Sequence, residues 1–409
     1  MDTTIRNADT ADMVSVLRTQ RAARHDLVVP AAAITAQDGH LTVAGDRQGI
    51  IDETGVANIQ PLYRPTDVAE DGISSKLGIQ RAYLRRLRAE HVELWDANVN
   101  GWLRHDSLAD RKLLVRTFRD DNDGSGGVAR AVLTDGYKPI ENLDVLVAAL
   151  EGIRESGATV DIDRCDLSER RMYVTVHSPE VAVMAPRLLD GYRGPWHVDG
   201  LAAQRVTRND RGDVGAMLDL ARREGMGYEP GTEPVVFAGF ELRNSDVGCG
   251  AFELAPKLQV KVCRNGLTMD VGRMRKVHLG ARLDEGAIDW SSRTTDAQLA
   301  LITSQTKDAV TTFLSEGHVA DLVRTLEERA GVAVTEPTET IKTVTKRLAY
   351  DDEIADRVLA HFIAGGQSTA GGVMQAVTSV AQTVADADRA AAMEGDALRA
   401  LELAATAAR

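Results

Sequence analysis

The sequence predicts an α+β fold, in which an antiparallel β-hairpin core with packed helices is followed by an all-helical C-terminal region. Residues 235–268 alternate apolar and polar side chains along their second arm, which is typical of a long β-hairpin. Further pairs of strand-like runs are joined by short turns rich in glycine or polar residues. From residue 294 onward, helical periodicity replaces this alternation.

The chain has 409 residues, which is long for a single hydrophobic core, so we expect two or three structural units. The predicted units are an N-terminal helix and hairpin region (1–75), an α+β core (76–290) and a helical C-terminal region (291–409). Within the core, residues 187–233 are polar and glycine-rich. We interpret them as an insertion with one short helix at about 213–224.

The N-terminal region predicts one helix, one hairpin and a long loop. Asp9 or Thr10 can cap a helix over about residues 10–23. Asp38-Gly39 lies between two alternating runs, which predicts a two-residue hairpin turn. Residues 45–74 are rich in turn-forming residues, so we expect mostly loop there.

Residues 79–95 show the clearest amphipathic helix pattern. The apolar face holds Ile79, Tyr83, Leu87 and Leu94. The nearly opposite face holds three arginines at helical spacing, Arg81, Arg85 and Arg88. A stripe of guanidinium groups suits contact with phosphates, whereas the simpler alternative is a solvated helix face.

The sequence of the core predicts two more strand pairs and a helix. The strands are expected at 111–119, 128–134, 158–164 and 170–177, and the helix at 141–156. The first strand pair is joined by DDNDGSGG, which matches the opening positions of a calcium-binding EF-hand loop. Val132 stands where such a loop needs a bidentate glutamate, so an ordinary glycine-rich turn is favoured.

The second arm of the 235–268 hairpin directs Leu258 and Val260 to one side and Lys257 and Gln259 to the other. One side can therefore face a core while the other carries cations. Residues 267–290 look irregular and basic. Helices are then expected over 294–316, 317–331, 338–348, 351–363 and 370–406.

The charge of the chain is unevenly distributed. The net charge of −13 argues against nucleic acid as a partner. Between Lys257 and Leu283, however, seven basic residues accompany a single acid, Asp270. Because the acidic excess lies elsewhere, one face could hold a polyanion. The alternative is that the basic strands pair with acidic helices of the same fold.

Familiar catalytic patterns are absent from the sequence. It contains no phosphate-binding glycine loop ending in GK followed by Ser or Thr, no GxGxxG after a strand, no CxxC pair and no GxSxG elbow. A hydrolase, NTPase or dehydrogenase is therefore disfavoured, and we expect no cofactor and no metal. An enzyme with a site assembled from distant residues would gather Asp161, Asp163, His177 or His278.

The sequence also favours a cytoplasmic protein. The residues after Met1 are polar and acidic, which does not fit a signal peptide. The apolar runs fall well short of the roughly 20 residues that a membrane span needs. The chain has three cysteines, Cys165, Cys249 and Cys263. Because an odd number does not form a complete set of disulfide pairs, we interpret them as reduced thiols.

Three stretches resemble a known family. FRDDNDGSGGVARAVLTDGYKPIENLDVLVAAL (118–150) resembles a block with a Y-K-P-I/V-x-N motif, and GFELRNSDVGCGAFELAPKLQVKVCRNGL (239–267) resembles an S-N-S-x-x-G…V-C-x-N-x-L hairpin. KLGIQRAYLRRL followed by NVNGWL is similar to the helical block upstream of them. These blocks are typical of the phage/plasmid-like protein family. The domain of that family has no assigned function and is designated domain of unknown function nine-three-two. The resemblance spans about residues 70–280. It weakens toward 385, where Gly372 and Gln375 stand at or near positions of a family Trp and Asn.

The resemblance implies a phage or other mobile-element protein in the cytoplasm of the host cell, with no established reaction. The family's arrangement is distantly similar to phage single-strand annealing proteins, which is an analogy at the level of the fold. We therefore predict a homo-oligomeric DNA-metabolism accessory protein that binds single-stranded DNA and could anneal it. The predicted phosphate contacts are Lys257, Lys261, Arg264, Arg273, Arg275, Lys276, Arg81, Arg85 and Arg88. The alternative is a structural or interaction protein that assembles, or engages a host factor, through its C-terminal helices.

Overall fold

Two large β-sheets and a C-terminal group of helices confirm the predicted α+β class. The computed structural model describes residues 4–52, 55–119, 126–189, 192, 235–260, 266–268, 274–276 and 291–407. The predicted helix at 213–224 and most of the DDNDGSGG turn lie outside these ranges.

The strands are β1 (Ile5–Ala8), β2 (Arg24–Pro30), β3 (Ile34–Gln37), β4 (His40–Val43), β5 (Gln48–Asp52), β6 (Gly55–Ile59), β7 (Leu62–Pro65), β8 (Lys112–Arg119), β9 (Gly126–Thr134), β10 (Asp161–Leu167), β11 (Met172–Met184), β12 (Val235–Asn244), β13 (Phe252–Val260), β14 (Gly266–Thr268) and β15 (Met274–Lys276). The helices are α1 (Thr10–Ala23), α2 (Asp67–Leu77), α3 (Arg81–Glu90), α4 (Val92–Leu103), α5 (Asn142–Ser156), α6 (Pro186–Leu189), α7 (Ser292–Phe313), α8 (Glu316–Ala330), α9 (Pro337–Arg347), α10 (Asp352–Gly365), α11 (Ala370–Thr383) and α12 (Ala387–Ala407).

The larger sheet is antiparallel and has the order β1-β10-β11-β12-β13-β14, with β15 also paired to β13. The predicted hairpin at its centre is confirmed, since β12 and β13 pair from Val236↔Val260 to Arg243↔Glu253. Because side chains alternate across a strand, Leu258 lies on the apolar face of the sheet, as predicted. Lys257 and Gln259, on the other face, are buried as well.

The smaller sheet has the order β2-β8-β9-β7-β4-β3, in which only the β7–β9 pair is parallel among the described pairings. The predicted turn at Asp38-Gly39 is confirmed, and both residues have positive φ (50° and 72°). The prediction of mostly loop over 45–74 is wrong, because β5, β6, β7 and the start of α2 lie there. Short strands among turn-forming residues give little periodic signal.

The predicted boundary between residues 75 and 76 is not found, because it lies inside α2. Strands from before it pair with strands from after it: β1 with β10, β2 with β8, and β7 with β9. Residues 1–75 are therefore not a separate unit. Among the described residues, the elements that follow Lys276 are all helices.

Two predicted helices are each divided into two. The helix predicted at 79–95 breaks at His91 into α3 and α4, and Tyr83 and Leu94 are 51% and 47% exposed, not buried. The helix predicted at 370–406 ends at Thr383 and resumes at Ala387. Asp386 caps the new helix, accepting a hydrogen bond from the Arg389 amide at 2.7 Å.

A single hydrophobic cluster joins α1, α5, the apolar face of the larger sheet and α7 to α12. The helices in this cluster pack closely. Gly152 of α5 lies so near α7 that a Cβ atom added to it would be 2.4 Å from the Thr303 carbonyl oxygen. A Cβ at Gly372 would lie 1.9 Å from the Gln367 carbonyl oxygen. The C-terminal helices are thus part of the main core. Among the described helices, none combines the length and apolar character required to cross a bilayer.

Candidate nucleic-acid interface

Lys257, the first of the predicted phosphate contacts, is buried. It is 2% exposed, and its Nζ donates to Glu241 Oε2 at 2.8 Å and to Glu394 Oε2 at 2.7 Å. Glu394 belongs to α12, which covers this face of the sheet. A phosphate cannot reach an ammonium group in this position, so the prediction of Lys257 as a phosphate contact is wrong.

Further charges surround this lysine and extend the ion pairs across four strands. Arg164 on β10 donates to Glu394 at 2.6 Å, and Arg243 on β12 donates to Glu241. Beyond them, Asp166 pairs with Arg6 of β1. We call Lys257, Glu241, Glu394, Arg164 and Arg243 the buried charge cluster. It has three cations and two carboxylates.

The two carboxylates of the buried charge cluster are held in their ionised form. Burial alone would raise the pKa of Glu241, but the nearby charges of Arg243 and Lys257 outweigh it and hold this pKa well below its usual range. Burial likewise opposes ionisation of Glu394, and Arg164 and Lys257 together lower its pKa. Each carboxylate therefore depends on its cations for its place in the core.

The three arginines predicted as a phosphate stripe do lie on one side of α3, but they face acids of α2. Arg81 pairs with Asp71 at 2.9 Å. Arg85 contacts Asp67 at 3.0 Å and Asp71 at 3.1 Å. Since these guanidinium groups are engaged by carboxylates, α3 presents a neutralised surface rather than a free cationic one.

Arg88 and Arg85 also approach Glu70, the one nearly buried acid of α2. Glu70 is 3% exposed, and its oxygens lie 3.7 Å from Arg85 Nε and from Arg88 Nη1. These separations exceed those of a good hydrogen bond. Burial raises the pKa of Glu70, and the two arginines only partly offset that rise. Arg88 itself donates to the carbonyl oxygens of Gly39 at 3.0 Å and Pro65 at 3.2 Å.

The remaining predicted contacts belong to the edge of the larger sheet. Arg275 and Lys276 lie on β15, where they pair with Glu253 and Phe252 of β13. Lys261, Arg264 and Arg273 fall outside the described residues. The structure therefore does not bring the nine predicted cations to one surface within the described ranges. It places Lys257 in the core and the α3 arginines against α2.

The two longer stretches that carry the family resemblance contact each other. Asn244, at the end of β12, donates to Asn142 Oδ1 at 2.8 Å and to the Ile140 carbonyl oxygen at 3.2 Å. Tyr137 Oη donates to the carbonyl oxygen of Ser245 at 3.4 Å. These bonds hold the tip of the β12–β13 hairpin beside the segment that leads into α5, so these motif residues have a structural role.

A second set of buried charges fixes the same hairpin tip to the smaller sheet. Arg116 of β8 is fully buried and pairs with Glu141, and it lies 3.6 Å from a carboxylate oxygen of Asp246. Arg130 of β9 donates to Asp246 at 2.8 Å. Burial would raise the pKa of Asp246, but Arg130 and Arg116 lower it overall. The two sheets are thus joined through ion pairs as well as apolar packing.

Three of the residues named for a hidden enzyme site are neighbours. His177 Nδ1 lies 2.8 Å from Asp163 Oδ1, and Asp161 is the cross-strand neighbour of His177. Phe237 packs edge-on against the imidazole, with ring centroids 5.9 Å apart. Because the His177 and Asp163 side chains are only 12% and 16% exposed, a substrate has little access to the pair. His278 lies outside the described residues.

Sequence reasoning missed a polar cluster on the smaller sheet. Tyr63 donates to Asp46 Oδ2 at 2.7 Å, and His25 Nε2 lies 3.2 Å from Asp46 Oδ1 and 2.8 Å from Arg119 Nη2. Burial raises the pKa of Tyr63 to about 12. These groups satisfy one another around Asp46, which indicates a structural cluster. Within the described ranges, no group of three or more His, Cys, Asp or Glu side chains is arranged to hold a metal ion.

Comparisons with known proteins find no family model, no curated protein and no solved structure that matches this chain. The resemblance to the phage/plasmid-like family therefore stays a prediction.

Proposed function

We propose that the protein is a DNA-metabolism accessory protein of a phage or other mobile element, and that it binds single-stranded DNA through its basic segment, residues 261–282. With Lys257 and the α3 arginines removed from the predicted set, this segment still contains six basic residues and one acid. A local excess of positive charge on an acidic protein can direct a polyanion to one face.

The observation that supports the proposal is the position of β15. Among the described residues, β14 and β15 are the last strands on that side of the larger sheet, and both lie alongside β13. Within the described ranges, Arg275 and Lys276 are therefore on an edge strand, whereas Lys257 is on a strand paired on both sides. An edge strand has a row of backbone groups available to a further partner.

The composition limits how such binding would work. Aromatic residues make up 4% of the chain, so extensive stacking of bases on aromatic rings is not expected. Contacts to phosphates would supply most of the affinity, without sequence preference and with strong dependence on salt. Assembly into a homo-oligomer, which would place several basic segments along one strand, belongs to the same proposal.

A test measures the anisotropy of a fluorescent single-stranded oligonucleotide with increasing protein, between 25 and 200 mM salt. The basic-segment variant carries Arg273→Gln, Arg275→Gln and Lys276→Gln. The control removes three exposed cations of α9, through Lys342→Gln, Lys346→Gln and Arg347→Gln. Because each phosphate contact on a single strand contributes about 0.7 to the salt slope, the first variant should lower the slope by about 2. The control should leave it unchanged.

Either of two results would overturn the proposal. One is the absence of any complex with micromolar protein at 25 mM salt. The other is an equal loss of affinity in both triple variants, because that result would show a general effect of net charge. Light scattering with and without the oligonucleotide gives the solution mass and tests the predicted homo-oligomer. Annealing of complementary strands is then measured on the same samples.

A further inference from the structure

A cavity of about 350 Å³ opens between the turn of the β3–β4 hairpin, α2 and α3. Its lining includes Glu70, Arg85, Arg88, Ala89 and Val92. Its volume is within the range of about 300–1,000 Å³ that small-molecule pockets occupy. It is also far larger than the roughly 30 Å³ that one water molecule occupies in the liquid.

Two polar atoms of the lining residues have no hydrogen-bond partner in the described part of the chain. Glu70 Oε1 is a buried acceptor, and Arg85 Nε is a buried donor. Their ion-pair contacts, Arg88 Nη1 to Glu70 Oε1 and Arg85 Nε to Glu70 Oε2, are both 3.7 Å long. A buried polar group without a hydrogen-bond partner is unfavourable, so satisfying both atoms would favour ligand binding.

The surrounding contacts fix these groups in place before any ligand arrives. Arg88 is held by two backbone carbonyl oxygens, and its guanidinium lies 5.9 Å from the ring centroid of Trp95. Arg85 Nη2 donates to Asp71 Oδ1 at 3.1 Å. Ala89 and Val92 supply the apolar part of the wall. A rigid site with few polar groups and an apolar wall suits a small molecule.

We propose that this cavity binds a nucleobase, whose edge donates to Glu70 Oε1 and accepts from Arg85 Nε. Each of the four bases carries a donor and an acceptor side by side on its pairing edge, which complement the Glu70 Oε1 acceptor and Arg85 Nε donor that are unpartnered within the described residues. The choice of a nucleobase over another amide-like group rests on the proposed function. The geometry of the cavity itself does not depend on that function.

Titration calorimetry with free adenosine, cytidine, guanosine and thymidine tests the inference without any phosphate. Wild-type protein is expected to bind at least one nucleoside at submillimolar to millimolar concentration. Ala89→Leu narrows the cavity without altering charge and should weaken binding at least tenfold. Ala82→Leu, on the same helix and also exposed, should leave binding within twofold. Unchanged thermal midpoints in both variants show that they fold.

Glu70→Gln tests the polar contact, with Glu90→Gln on α3 as its control because Glu90 is exposed and pairs with Arg86. The first should weaken nucleoside binding, and the second should not. Failure of all four nucleosides to bind at 5 mM would overturn the inference. Equal weakening by Ala89→Leu and Ala82→Leu would also overturn it.

An oligonucleotide that lacks bases separates this inference from the proposed function. If the abasic strand binds through the basic segment and no nucleoside binds, the cavity inference is wrong and the proposed function stands. If nucleosides bind but no oligonucleotide does, the cavity is a nucleobase site and the proposed function is wrong.

Discussion

Lys257 and the arginines of α3 make an instructive comparison, because both were predicted as exposed cations and both are paired with carboxylates. The partner of Lys257 on α12 lies 137 positions away in the chain, and the pair is sealed in the core. Arg81 pairs with Asp71, ten positions away, and remains 55% exposed on its side chain. Similar chemistry therefore has different consequences for stability in the two places.

The difference lies in what replaces water around the charges. In the buried charge cluster, Lys257 Nζ donates to two carboxylates and to the Thr175 hydroxyl, all within 3.2 Å. Removing one partner there leaves an ion that has lost both water and its counter-ion. On α3, solvent compensates for much of any lost contact. We therefore expect the first region to control stability and the second to contribute little.

The largest effect is expected for Lys257→Met. It keeps most of the side-chain volume but leaves Glu241 and Glu394 with less positive charge around them. Breaking a buried ion pair in this way typically costs about 3–5 kcal/mol of unfolding free energy. Urea denaturation followed by circular dichroism measures the change.

The control for this experiment is Lys112→Met on β8, which makes the same substitution at an exposed strand position. A surface change of this kind is expected to stay within about 0.5 kcal/mol. A similarly small loss for Lys257→Met would show that Lys257 does not stabilise the sheet under α12.

An intermediate effect is expected from acid. Glu241 and Glu394 have folded-state pKa values below the ordinary value of 4.5. Their contribution to stability is therefore complete above that value, and it is lost progressively as the pH falls below it toward the folded-state pKa. Thermal midpoints measured from pH 7 to pH 3 should show a steep decline that begins near pH 4.5.

The variant Glu394→Gln sharpens this experiment because it removes one of the two titrating groups. It should be less stable than the wild type at pH 7 and should lose less stability on acidification. Glu402→Gln is the control, since Glu402 lies on the same helix but pairs at the surface with Arg329. An identical pH profile in wild type and Glu394→Gln would contradict the assignment.

The ion pairs of these two regions differ in how well the sequence could predict them, because their partners lie at different separations along the chain. The acids of α2 were visible, since Asp67, Glu70 and Asp71 recur at i, i+3 and i+4 just before a helix with arginines at matching spacing. Because residues 45–74 were expected to be mostly loop, this pairing was not predicted. Lys257 is harder, because no local pattern indicates that a glutamate of a distant alanine-rich helix covers it.

Part of the buried charge cluster could still have been found from the hairpin. Counting pairs along β12 and β13 places Lys257 opposite Gly239 and diagonal to Glu241 on the same face of the sheet. Hairpin register and helix capping are local, so they could be predicted, as Asp38-Gly39 and the helix after Asp9 show. The burial of both faces of β13 depends on tertiary packing, which alternation alone does not specify.

The smallest effect is expected for Arg81→Gln on α3. Its partner Asp71 also pairs with Arg85 and Arg170, so the carboxylate keeps two cations after the change. An exposed pair of this kind contributes about 0–1 kcal/mol, and 1 M salt should reduce even that because the screening length falls to about 3 Å. Paired urea denaturations in 0.1 M and 1 M salt measure it.

The cost of Lys257→Met should be nearly unchanged by salt, since ions cannot enter the core. A large loss for Arg81→Gln that persists in 1 M salt would mean that the two regions do not differ as their burial indicates.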